Sequence, residues 1–243
     1  MAAALPGVAR RSGRGPKAIS AALRATALGR FPAEERAWAD RVEAHRRDLP
    51  AIIAAAGPAA RGHAERLAEA TAAARWMSLP PVWGRFLMRL VRELAPRSCL
   101  ELGTGFGLST AYQAAALELN GEGRITSLDQ EALTAIARPG LEGLGLGERV
   151  ELTGGMIEET LAAAVKRAAP IDYALLDADH TEDGTLKAFD AVAPHLGDGA
   201  VVVLDDVNWT DGMRRAWAAV ERRDCVTATV GLRRVGIAVV SSR

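Results

Sequence analysis

Four acids and one histidine stand directly after two short apolar runs. Leu175-Leu176 leads into Asp177-Ala178-Asp179-His180, and Val203-Leu204 leads into Asp205-Asp206-Val207-Asn208-Trp209. Carboxylates gathered at one place repel one another unless they are protonated, well solvated or bound to a cation. An oxygen-rich set suits a hard ion such as Mg²⁺, with water completing the shell. Asp177, Asp205 and Asp206 follow their runs immediately and form the natural trio. His180, three residues beyond Asp177, can take a proton near neutral pH. A purely structural histidine is the competing reading, and the acidic neighbours weigh against it. His45, His63 and His195 lack such a setting and read as helix-surface or packing residues.

A second constellation is Glu101-Leu102-Gly103-Thr104-Gly105-Phe106-Gly107-Leu108-Ser109. Glycines at alternate positions let the backbone turn tightly and let a ligand approach the main chain. The spacing is G-x-G-x-G, not the G-x-G-x-x-G of dinucleotide binders, which argues against an NAD-dependent dehydrogenase. An acid two residues before the first glycine would repel a pyrophosphate and suits a ligand carrying an ammonium group. Asp129 lies 26 residues after Gly103, at the end of the next apolar run. A carboxylate there can accept both ribose hydroxyls of a nucleoside, or it can cap the helix beginning at Glu131. Gly154-Gly155-Met156-Ile157 offers small residues and then apolar ones, which makes a slot for a flat base or a plain helix start.

These residues need strands to carry them to a common edge. After Pro96, short apolar runs alternate with helical patterns. Strands are predicted over 98–102, 124–129, 149–153, 171–177 and 200–204. Helices are predicted over 108–119, 131–138, 157–168, 183–195 and 211–223. Two last strands, 225–230 and 235–240, flank Gly231-Leu232-Arg233-Arg234. This alternation implies an α/β fold with a doubly wound, mostly parallel seven-stranded sheet and helices on both faces. The closing hairpin-like link makes one strand antiparallel. In such sheets ligands bind at the carboxyl ends of the strands, near the switch point, and every residue singled out above falls there.

Upstream, the pattern over 17–77 is helical. Pro32 suits a helix start, with Glu34 and Glu35 in a first turn where the helix dipole favours acids. Pro50 and Gly57-Pro58 are expected to divide the stretch into two or three helices, and Pro80-Pro81 precedes another helix over 82–94. The expected organisation is a disordered basic arm over 1–16, an N-terminal helical extension over 17–78 and a catalytic domain over 79–243.

Taken together, the glycine loop and the strand-end acids resemble a class I S-adenosylmethionine-dependent methyltransferase of Rossmann-like fold. More narrowly, they resemble small-molecule O-methyltransferases of the catechol and caffeoyl-CoA type and their bacterial relatives, the macrolide-sugar enzymes included. The resemblance covers about residues 79–240. It implies S-adenosylmethionine as cofactor, with Glu101 near the methionine ammonium and Gly103, Thr104 and Gly105 lining the cofactor by backbone. Ser109 would hydrogen-bond the methionine carboxylate. Asp129 would hold the ribose, with Gln130 beside it and Gly155, Met156 and Ile157 along the adenine. Asp177 would serve both cofactor and metal, Asp205 and Asp206 would complete the Mg²⁺ set, and His180 would act as base. Catechol-type enzymes usually carry Asp-Asn where this chain has Asp205-Asp206, and a Lys where it has His180. The macrolide-sugar group has Asp-Asp and His at those places. A metal-independent methyltransferase acting on nitrogen, a carboxylate or protein is the alternative, and a non-catalytic binding module of the same fold is a further one.

Composition narrows the partners. With 30 basic and 30 acidic residues, the chain lacks the cationic surplus needed to hold nucleic acid by bulk charge. The charge is nevertheless divided: Arg10, Arg11, Arg14, Lys17, Arg24 and Arg30 stand in an acid-free first 33 residues, and the remainder is acidic. That arm reads as a helical extension or as an organelle transit peptide; otherwise a cytoplasmic location is expected. No run reaches the ~18 apolar residues of a membrane span. Cys99 and Cys225 are too few for a disulfide framework or a cysteine zinc site. The expected partner is a small-molecule acceptor, and the apolar helical arm suggests a homodimer.

Overall fold

The computed structural model describes residues 13–55 and 79–241. Most of the expected basic arm, the Gly57-Pro58 break, His63 and the rest of the helical pattern through Met77 lie outside the described residues. Eight α-helices and seven strands make up the described fold. The strands are β1 (Ser98–Leu102), β2 (Arg124–Asp129), β3 (Val150–Gly154), β4 (Ile171–Leu176), β5 (Leu196–Leu204), β6 (Val226–Gly231) and β7 (Gly236–Val240). They form one sheet in the order β3-β2-β1-β4-β5-β7-β6. The pairs from β3 to β5 are parallel, and β7 runs antiparallel to both β5 and β6. The chain steps from β1 outward to β2 and β3, then returns to the other side of β1 with β4. That reversal leaves a crevice at the carboxyl end of β1, the expected place for a ligand.

The apolar runs become strands because both faces of the sheet are covered. Alternate residues of β1 enter different cores: Cys99 packs on one face, Leu100 and Leu102 on the other. The first face is covered by α1 (Arg14–Leu28), α2 (Ala33–Ala55), α3 (Pro81–Leu94), α4 (Leu108–Asn120) and α5 (Glu131–Gly143). The second is covered by α6 (Ile157–Ala168), α7 (Glu182–Val192) and α8 (Asp211–Val220). Burial on both sides explains why β1, β4 and β5 read as continuous apolar runs and not as alternating ones.

Several boundaries depart from the sequence expectations, each for a local reason. The first helix starts at Arg14, three residues inside the stretch expected to be disordered, and Gly15 and Pro16 are buried. A Cβ on Gly15 would stand 3.2 Å from side-chain carbons of Val201 and Val239, so the missing side chain lets this helix start lie on the sheet. Pro50 does not break α2, which runs through it to Ala55. Likewise α5 passes through Pro139 and ends at Gly143. β5 begins at Leu196, four residues early.

Helix α2 is fastened to α3 and α4 by ion pairs and a hydrogen bond as well as apolar contacts. Glu35 is wholly buried and receives Arg89 Nη1 at 2.7 Å, while Arg92 Nη2 reaches Glu34 at 2.9 Å. Tyr112 Oη donates to Glu43 Oε1 at 2.7 Å, tying α4 to α2. Among the described residues no helix is long and apolar enough to cross a membrane.

Candidate active site

The strand ends are held level by the ladder itself, which continues one residue past each strand. Gly103 N donates to Leu128 O and Asp177 N to Leu102 O, both at 2.9 Å. Asp205 N donates to Leu176 O and Gly155 N to Asp129 O, both at 3.0 Å. Gly103, Asp129, Gly155, Asp177 and Asp205 therefore line up along one edge because each closes a hydrogen bond of the sheet.

The loop after β1 is built around a buried carboxylate. Glu101 is fully buried; Gln113 Nε2 donates to its Oε1 at 2.7 Å, and Ser127 Oγ to its Oε2 at 2.6 Å. Thr110 Oγ1 also donates to Oε2. Burial pushes the Glu101 carboxyl above its ordinary value, and hydrogen bonds from Ser127, Thr110, Ser109 and Gln113 act in the opposite direction. Thr104 Oγ1 lies 2.6 Å from Ser127 Oγ, extending this network under the loop. Above it, Gly105 N donates to Asp129 Oδ2 and Gln130 N to Asp129 Oδ1, both at 2.7 Å. Gly103 has φ 99°, and a Cβ there would meet the carbonyl oxygen of Asp177 at 2.1 Å. Only glycine allows β1 and β4 to diverge so closely at this point.

A cleft of about 780 Å³ opens along this edge. Of the residues expected from sequence, Gly103, Asp129, Gln130, Met156, Ile157, Asp177 and His180 line it. Glu101, Thr104 and Ser109 are buried and do not line it, and neither do Gly105, Gly155, Asp205 and Asp206. The far wall comes from the first turns of α7, with Asp183, Gly184 and Lys187, which sequence reasoning passed over. The available signal was Gly184: a Cβ there would collide with the Asp179 carboxylate, so the α7 start needs glycine to lie against the loop after β4.

The acid cluster differs from the expected trio. Asp177, His180 and Asp206 each bring a ligand atom within 4.8 Å of the others. His180 Nε2 stands 3.8 Å from Asp177 Oδ1, and its ring packs edge-on against Trp209 with centroids 5.2 Å apart. Burial and the charges of Asp205 and Asp206 push the Asp177 carboxyl well above the usual aspartate range, opposed by Arg234. Burial and Asp205 likewise raise Asp206. Asp179, His180 and Asp206 all have left-handed backbones, with φ of 66°, 45° and 51°. Such conformations in non-glycine residues collect where surrounding structure holds a functional side chain in place.

Asp205, expected as a metal ligand, is engaged elsewhere. Arg234 Nε and Nη2 hold it from both sides, with contacts of 2.7–3.0 Å, and its side chain is wholly buried. Arg234 was missed in the sequence because the pairing depends on register. Leu204 of β5 pairs with Gly236 of β7, so the residues after β5 run beside those before β7. Arg234 Nη2 also reaches Asp206 Oδ2 at 3.3 Å, so the guanidinium is shared by the two acids. Asp177, His180 and Asp206 are the donors that stand near enough to one another to fit a divalent ion. Two carboxylate oxygens, an adjacent imidazole and open cleft for water are donors such an ion accepts.

Fold and site define a class of protein, and comparison with known proteins agrees. A family pattern described as a methyltransferase domain matches residues 100–207. A catechol O-methyltransferase from Niastella koreensis is 33% identical over 180 residues, covering 66% of this chain and 77% of that protein. Among solved structures, the O-methyltransferase TomG from Streptomyces achromogenes, in complex with SAM and involved in tomaymycin synthesis, superposes with a TM-score of 0.60 at 26% identity. That match covers 68% of this chain and 82% of the other. An O-methyltransferase from Bacillus cereus in complex with SAH shares the fold, with a TM-score of 0.60 at 24% identity over 77% of this chain and 93% of its own. The chain belongs to the class I S-adenosylmethionine-dependent O-methyltransferases.

Proposed function

We propose that the protein transfers a methyl group from S-adenosylmethionine to a hydroxyl oxygen of a small acceptor, and that an aromatic diol of the catechol type is the acceptor class to test first. The observation that carries this reading is the single cleft that joins the glycine loop and Asp129 to Asp177 and His180. Donor and acceptor sites thus share one continuous space, which in-line transfer requires.

The sulfonium of the cofactor is already an activated donor, so the protein's task is alignment and proton removal. Gly103, Thr104 and Gly105 offer backbone to the methionine half, and Ser109 stands at the start of α4 for its carboxylate. Glu101 does not face the cleft; its charge acts from beneath the loop, where it also fixes Thr110, Gln113 and Ser127. Asp129 faces the ribose, with Gln130, Gly155, Met156 and Ile157 along the base. Asp177 and Asp206 would hold a divalent cation, and His180 would accept the acceptor's proton. A divalent ion such as Mg²⁺, when bound, supplies positive charge that lowers the pKa of the acceptor hydroxyl. Trp209, 66% exposed and packed edge-on against His180, would cover the acceptor and exclude water.

Methyl-labelled S-adenosylmethionine incubated with catechol tests this directly. Label in the acceptor that disappears with EDTA supports the full reading. Label that persists in EDTA favours the metal-independent alternative. Calorimetry showing no binding of S-adenosylhomocysteine would overturn the assignment of the cleft.

A further inference from the structure

Two side chains of β2 hold the glycine loop, one from the cleft side and one from beneath. Asp129, which lines the cleft, accepts from Gly105 N through Oδ2 at 2.7 Å. A ribose held by Asp129 would share that carboxylate, so this fastening changes when a nucleoside arrives. The lower fastening does not. Ser127 is wholly buried and stands opposite Glu101 in the parallel register of β1 and β2. Its Oγ donates to Glu101 Oε2 at 2.6 Å and lies 2.6 Å from Thr104 Oγ1. A hydroxyl has one hydrogen to give. Ser127 gives its own to Glu101, so the hydrogen between Ser127 and Thr104 comes from Thr104. The chain therefore runs one way, from Thr104 to Ser127 to Glu101. It ends on a carboxyl that Thr110 and Gln113 of α4 also hold. Hydrogen bonds to a carboxylate are strong, and each bond in a chain polarises the next. Thr104 is 2% exposed, so water does not compete for its hydroxyl. Its neighbours Gly103 and Gly105 have φ of 99° and 52° and no side chain to grip. The Thr104 hydroxyl is thus the sheet's side-chain hold on this turn.

We propose that Ser127 is a positioning residue: by accepting from Thr104 it sets the backbone of Gly103, Thr104 and Gly105 for the methionine half of the cofactor. This rests on the reading that the loop binds that half. Ser127 is buried and does not line the cleft, so it acts through Thr104 and not on the ligand. Its influence is therefore confined to the half of the ligand that the loop serves. The nucleoside half is served by Asp129, Gln130 and Met156, which the Thr104–Ser127 contact does not hold.

Calorimetry on the full chain with two ligands tests the proposal without requiring turnover. One is S-adenosylhomocysteine, and the other is 5′-methylthioadenosine, which lacks the amino-acid half. Thermal melting on each sample shows whether it is folded. The unaltered chain is expected to bind S-adenosylhomocysteine at least tenfold more tightly than 5′-methylthioadenosine. Ser127→Ala is expected to weaken S-adenosylhomocysteine binding at least tenfold and to change 5′-methylthioadenosine binding less than threefold. A merely structural serine would weaken both ligands alike, or lower the melting temperature alone. Thr104→Val removes the other end of the contact while keeping its shape, and should show the same selective loss. It also carries the test if Ser127→Ala does not fold. The double variant should bind S-adenosylhomocysteine within threefold of the weaker single variant, because both changes remove one contact. Equal loss for the two ligands, unchanged S-adenosylhomocysteine binding in the folded variant, or losses that multiply in the double variant overturn the proposal. So does 5′-methylthioadenosine bound as tightly as S-adenosylhomocysteine by the unaltered chain, which leaves the cofactor reading in place. Failure of the unaltered chain to bind either ligand overturns that reading and the proposal with it.

Discussion

Glu101 and Asp177 end neighbouring strands of one sheet, yet their surroundings differ in kind. Glu101 is buried among neutral donors: two hydroxyls and an amide satisfy it, and it holds the glycine loop from below. Asp177 sits beside two more carboxylates, with one guanidinium to share among them. The first half of the edge is complete in itself, whereas the second carries surplus negative charge. Preorganised neutral donors suit a fixed cradle for a cofactor, and uncompensated carboxylates suit a site that gains by taking up a cation. One sheet thus places a half built on neutral hydrogen-bond donors beside a half with surplus carboxylate, and under the proposed function these are the donor half and the acceptor half.

This contrast can be broken most severely at its hinge. Gly103→Ala puts a Cβ 2.1 Å from the Asp177 carbonyl in a backbone with φ 99°. The expected result is loss of S-adenosylhomocysteine binding by more than a hundredfold, together with about 3 kcal/mol or more of stability, read by calorimetry and thermal melting. Glu101→Gln keeps shape but turns a donor toward donors, at an expected cost of about 1–3 kcal/mol. The sign of its pH dependence is set by the raised Glu101 carboxyl. A raised acid binds its proton more tightly in the folded state, so it loses stability as pH rises above the ordinary glutamate value of 4.5. The unaltered chain carries that loss and the Gln variant does not, so the gap between their denaturant midpoints should narrow as pH rises. On the acceptor side, Trp209→Ala removes the edge-on partner of His180. It should raise the acceptor KM about three- to tenfold, in line with ~0.5–1.5 kcal/mol for an aromatic pair, with little change in affinity for S-adenosylhomocysteine. Arg167→Ala, which breaks an exposed pair with Glu151 far from either half, should stay within about 0.5 kcal/mol of the parent in stability.

The arrangement of the glycine-loop half was legible in the sequence because it is local. Glu101 through Ser109 is one continuous loop, and Asp129 ends the strand that pairs with β1. Its chemistry depends on glycine spacing and strand ends, both of which period and composition reveal. The acceptor half was legible only in part. Asp177, His180 and Asp206 could be found because they follow apolar runs, but the pairing of Asp205 depends on a side chain 29 residues further on. That contact exists only because β7 runs antiparallel to β5 in one particular register, and no local pattern encodes it. Helix ends at Pro50 and Pro139 were misjudged for a related reason. Tertiary packing carried both helices past a residue whose local preference is to stop.

The separation of the two halves is tested most directly with Asp206→Ala, by measuring S-adenosylhomocysteine affinity and methyl transfer to the acceptor on the same preparation. Cofactor affinity within threefold of the parent, with turnover reduced at least a hundredfold, is the expected result. Cofactor binding lost together with turnover, or turnover unchanged, would contradict it.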